Sequence, residues 1–215
     1  MCSLREQSLR RALQVIPSVE RAFAVTEVRD YNGIGDWSLA GIQTRYRTLA
    51  RRLRQPALDL KPKETVQGDV RWIYPLMDEV IAGIKGGDQA CIELGVQFIE
   101  SGPPQAFGKS LHSNTARALR QAVLRPEQVA RLRARILRML TRSDVPREYS
   151  DYAKLLRRIG LGDDWRRTRE AVDETNPHVM EHVRYFEAVV SNQLAVQQRL
   201  APDKARRSGR FAASR

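Results

Sequence analysis

Cysteine is nearly absent: Cys2 and Cys91 are the two in 215 residues. One stands at the start and the other inside an apolar run, which excludes a disulfide framework and a cysteine-rich metal site. A reducing cytoplasm is the expected compartment. Long apolar runs are missing too. No stretch of about 18 apolar residues is present to cross a bilayer, and the opening segment MCSLREQSLRRALQVIPSVE has no secretory apolar centre. Aromatic residues make up 7% of the chain, with Trp165 the nearest one to the basic stretches. That scarcity argues against a surface that reads bases by stacking.

What the chain has is a core's worth of apolar residues and an excess of positive charge. Hydrophobic residues make up 42%, and the net charge is +12 with a pI near 10.4. The excess is concentrated. Residues 109–169 carry 16 Lys and Arg against 6 Asp and Glu, whereas 67–108 are net acidic. Such clustering attracts polyanions over long range, whether nucleic acid or an acidic protein surface.

The basic block is centred on Leu124 to Arg142, LRPEQVARLRARILRMLTR. Pro126 suits a first helical position, and Glu127 in the first turn favours the helix dipole. Val129, Leu132, Ile136, Met139 and Leu140 share one face, while Arg131, Arg135, Arg138 and Arg142 stack along another. No acidic residue on that second face relieves the repulsion between like charges, so an outside anion is expected there. Arg117 and Arg120 on the preceding helix, and Lys154, Arg157 and Arg158 on the following one, are expected to extend the patch.

Elsewhere the pattern is also helical. Leu4, Leu9 and Leu13 suit a short helix ended by Pro17, and Ala22 to Val28 suits either a strand or, preferably, a second short helix. Asp36 is placed to cap a basic amphipathic helix from Trp37 that carries Leu39, Ile42, Tyr46, Leu49 and Leu53. Gln55 to Gly68, with two prolines, reads as a linker. Beyond it come Ile73 to Ile84, a stop at Gly86-Gly87, a helix capped by Asp88, and another from Lys109 to Ala122. Pro146 begins a helix that Gly160 ends, Asp163 starts a short one, and Asn176-Pro177 opens a last one that carries Val179, Val183, Phe186, Val190 and Leu194 up to Pro202. The domains implied are an N-terminal segment at 1–66, a helical body at 67–200 and a disordered basic tail at 201–215.

Helix starts near 70, 109 and 146 recur at about 40 residues, a spacing that resembles the two-helix HEAT repeat. The resemblance implies an all-α fold: a HEAT-like superhelix of antiparallel helix pairs, preceded by a less regular segment. It rests on period and turn placement. HEAT-like arrays include DNA glycosylases that hold duplex on a basic concave face, and the resemblance admits that activity as an alternative, with Asp163 or Asp164 beside Trp165.

Two short motifs carry possible chemistry. Gly108-Lys109-Ser110 resembles the end of a phosphate-binding loop, but Pro103 stands where its first glycine belongs. Lys109, Ser110, Ser113 and Asn114 still lie at a helix start, where free N–H groups favour an anion. His178-Val179-Met180-Glu181-His182 matches the HxxEH pattern of inverted zinc peptidases, which makes His178 and His182 weak metal candidates and a metal-dependent hydrolase a second alternative. No cofactor is expected. The principal expectation is a non-enzymatic helical-repeat module with a basic surface for an anionic partner, an acidic protein being slightly favoured over a nucleic-acid backbone.

Overall fold

The computed structural model describes residues 25–103 and 106–212, with side chains as far as Gln193 and at Ala195. The helix expected around Leu4, Leu9 and Leu13, residues 22–24, the side chain of Leu194 and residues 213–215 lie outside the described residues. Within them the chain is mainly helical, with eight α-helices and one small sheet. The expected helical character holds, with this small sheet added to it.

The sheet comes from the two stretches whose pattern was least legible. Glu27–Asp30 (β1), overlapping the stretch Ala22 to Val28 that suits a strand or, preferably, a short helix, pairs in parallel with Val70–Ile73 (β3), so that Glu27 faces Val70 and Arg29 faces Trp72. Part of the expected linker is Glu64–Gln67 (β2), antiparallel to β3 across a Gly68-Asp69 turn in which Gly68 has φ +64°. The hairpin therefore spans residues 66 and 67, where the domain boundary was expected. A four-residue strand has little local preference of its own, and its partner's hydrogen bonds decide it. Ile73, counted in the next helix's apolar stripe, instead ends β3.

The helices follow the expected order with shifted ends. Ser38, rather than Asp36, caps Leu39–Arg52 (α1): its Oγ accepts the Gly41 N–H at 3.1 Å, while Asp36 sits in the 3-10 turn Gly35–Trp37. Met77–Lys85 (α2) ends at Gly86. Gln89–Ser101 (α3) is capped by Asp88, whose Oδ1 accepts the Cys91 N–H at 2.7 Å. Then come Gly108–Gln121 (α4), Pro126–Thr141 (α5), Tyr149–Ile159 (α6) and Asp164–Ala171 (α7). Pro177–Ala212 (α8) starts on Asn176, whose Oδ1 accepts the His178 N–H at 3.0 Å. It continues past Pro202, so residues 201–212 of the expected disordered tail are helical. A proline removes one backbone hydrogen bond without ending the cooperative run on either side.

Alternate helices pack on one another, α2 on α4, α4 on α6 and α6 on α8 along one line, and α1 on α3, α3 on α5 and α5 on α7 along another. α2 and α3 also lie together. A Cβ built at Gly83 would stand 2.4 Å from Cys91 Sγ, so glycine permits this close approach. One apolar cluster runs from Trp37, Ile42, Tyr46 and Leu60 to Val179, Val183 and Phe186. The Tyr46 hydroxyl accepts the Leu58 N–H at 2.8 Å and donates to Asp88 Oδ2 at 3.1 Å, tying α1 to the α3 cap. Tyr46→Phe leaves both groups without that partner and is expected to lower unfolding free energy by about 1–2 kcal/mol. Urea denaturation checks this, and an unchanged midpoint would show the hydroxyl to be dispensable.

Candidate functional site

The arginine stripe of α5 lies along α3, not wholly in solvent. Arg131 donates to Glu93 Oε1 at 2.7 Å and pairs with Glu100 through both Nε and Nη2. Arg135 donates to the Ile99 carbonyl at 3.3 Å. The relief expected from an outside anion is thus supplied within the molecule: Glu93 and Glu100 neutralise Arg131, the centre of the expected surface. Glu93 is 6% exposed. Burial pushes its carboxyl up, but hydrogen bonds from Arg131, Gln128 and Gln97 outweigh that and hold it below the ordinary value.

The remaining cations divide among several places. Arg138 and Arg142 are exposed at the end of α5, and Lys154 is exposed on α6. Arg157 lies over the Tyr185 ring at 6.0 Å. Arg120 and Arg158 line a depression of about 350 Å³ beside the α4–α5 connection. Arg117 enters a separate groove of about 570 Å³ between the start of α4 and the start of α6. One continuous belt is therefore not what these side chains make.

That groove gathers the residues expected at the helix start, Lys109, Ser110, Ser113 and Asn114, with Arg117, and adds Arg147, Glu148, Ser150 and Asp151. Among the described residues no side chain caps α4, and its first backbone bond there runs from the Leu111 N–H to the Phe107 carbonyl. Arg117 pairs with Asp151 at 2.9 Å. Burial raises the Asp151 carboxyl, while Arg117 and Ser113 outweigh it and keep it below its usual range. Lys109 and Arg147 are exposed at this groove.

Of the HxxEH histidines, only His182 serves the packing of α8. His182 lies against the Tyr149 ring at 4.6 Å, and burial lowers its pKa. His178 is exposed. Among the described residues no group of three or more His, Cys, Asp or Glu side chains comes together that could hold a metal ion. Trp165, half-buried, packs edge-on against Phe186 at 5.4 Å at the margin of the core.

A second surface escaped the sequence pattern. Tyr31 stacks on Trp72 at 5.8 Å and meets Phe107 edge-on at 5.2 Å, with Tyr74 beside them at 6.5 Å. Arg29 lies over Trp72 at 4.7 Å and Lys63 over Tyr74 at 5.9 Å. Its signal was present: Val70, Trp72 and Tyr74 alternate with Arg71 and Ile73, directly after a Gly-Asp turn. Compared with known proteins, the chain matches no protein family, no curated protein and no solved structure.

Removing Arg131 strands Glu93 in a water-poor setting. Arg131→Ala is expected to cost roughly 3 kcal/mol in urea denaturation; a loss near zero would show that water replaces the guanidinium. Stability also depends on pH. Burial lowers the pKa of His112, which stacks on Phe98 at 4.2 Å, as it does for His182. A histidine whose folded pKa is depressed contributes stability that is present above its unfolded value of 6.5 and is lost as pH falls through the folded one. The urea midpoint should fall between about pH 7 and pH 5, and His112→Phe should flatten that fall in part. An identical slope in the variant would remove His112 from the account.

Proposed function

We propose that this chain is a non-enzymatic binding module, a short HEAT-like helical array that engages an anionic partner at the groove between α4 and α6. The observation that carries this reading is the meeting of the exposed Lys109 and Arg147 with the hydroxyls of Ser110, Ser113 and Ser150, beside Glu148 and the Arg117–Asp151 pair, around a helix start that no described side chain caps. Free first-turn N–H groups and the helix dipole favour an anion there. Packing of alternate helices along two lines supports the HEAT-like arrangement. The net charge of +12 supports an anionic partner.

Within this reading the basic residues have different tasks. Arg131 and Arg135 hold α5 against α3, and Arg117 holds Asp151. The exposed Lys109 and Arg147 make the contact, with Arg138, Arg142 and Lys154 contributing longer-range attraction. Such a contact weakens as salt rises, because exposed charges are screened.

Charge reversal separates contact residues from structural ones. The double variant Lys109→Glu/Arg147→Glu should leave the wild-type column at clearly lower salt on immobilised heparin, with an unchanged circular dichroism spectrum. Elution at the wild-type salt concentration would overturn the reading.

A further inference from the structure

The aromatic cluster on the sheet adjoins the α4–α6 groove, because Phe107 immediately precedes Gly108, the first residue of α4. From the register, Arg29, Trp72 and Thr65 lie side by side across the three strands. Alternation puts Tyr31, Tyr74 and Lys63 on the same face. The rings form a ladder in which Arg29 covers Trp72, Trp72 stacks on Tyr31, and Tyr31 meets the edge-on Phe107. Phe107 ends the ladder. It is 56% exposed, and its backbone is left-handed with φ 56°, a conformation that favours glycine and that a bulky residue rarely adopts. An apolar ring is thus held toward water two residues from Lys109.

The carboxylates around this face are already engaged. Glu27 accepts from Arg29 at 2.5 Å, Glu64 from Arg71 at 2.9 Å, Asp30 from the Asn32 amide at 2.7 Å, and Asp69 from the Thr26 hydroxyl at 2.8 Å. An acidic protein would use the cations of the groove and leave the rings without a task. A duplex would offer phosphates while keeping its bases inside the stack. A single strand offers both phosphates and unpaired bases, which stack on exposed rings irrespective of sequence.

We infer that the anionic partner is single-stranded nucleic acid, a base stacking on Phe107 while the adjoining phosphates lie along Lys109 and Arg147. This deepens the anionic-partner reading and rests on it. Binding is then sequence-tolerant and salt-dependent, with stacking adding a part that heparin, which has no aromatic rings, does not feel.

The test uses the full chain and a fluorescein-labelled oligothymidine of about 20 nucleotides, read by fluorescence anisotropy. Phe107→Gly removes the ring and eases the left-handed backbone, so the fold should survive, which circular dichroism checks. Its affinity for oligothymidine should drop roughly ten-fold, with heparin elution unchanged, while Phe107→Trp should bind at least as tightly as the wild type. Equal oligothymidine affinity in wild type and Phe107→Gly overturns the inference and leaves the groove intact. So does tighter binding of a duplex of the same length, or of polyglutamate, by the wild type. If instead Lys109→Glu/Arg147→Glu leaves heparin elution unmoved, the underlying reading fails, and the two failures are told apart by which polymer loses its dependence.

Discussion

A buried carboxylate in the middle of α3 constrains the rest of the molecule. Glu93 stays charged where water is scarce because three side chains donate to or pair with it: Gln97 from its own helix at 2.9 Å, and Gln128 at 2.9 Å and Arg131 at 2.7 Å from α5. Gln97 in turn accepts from Arg45 of α1 at 2.6 Å. Burying an ion costs free energy that only close, well-oriented partners offset, so α1 and α5 are held in fixed positions against α3. Apolar packing is non-directional and brings these helices together. The polar network sets their relative position, since a helix shifted by one turn would strand the charge.

The exposed surface follows from that arrangement. With Arg131 turned to Glu93 and Glu100 and Arg135 to the Ile99 carbonyl, exposed positive charge lies instead on α4, on α6 and at the end of α5. There the start of α4 meets Arg147 from the segment before α6. The sheet reaches the same edge through Phe107, which contacts Tyr31. Rings and cations from segments far apart in sequence thereby come to one side of the chain.

Helices were legible where apolar residues repeat at three and four and an end signal is local. Asp88, Asn176-Pro177, Pro126 and Gly86 act where expected because caps and breakers work through neighbouring backbone groups. β1 was not legible, because its partner β3 lies 43 residues further on and no single-strand pattern names it. The candidate site was legible in part. Lys109, Ser110, Ser113, Asn114 and Arg117 do share one groove, yet the weight placed on Arg131 went astray, since helical periodicity shows which residues share a face but not what the face meets.

Composition and periodicity alone determined the helical majority, most helix starts and the surplus of positive charge, all of which depend on residues within a turn or two of one another or on simple counts. Tertiary structure decided which arginines are bound internally, that Trp165 packs on Phe186, and that Tyr31, Trp72, Tyr74 and Phe107 gather on one face. The reason is physical. Charge pairing and ring stacking act over a few ångströms in space, and residues separated by tens of positions acquire that proximity only when the chain has folded.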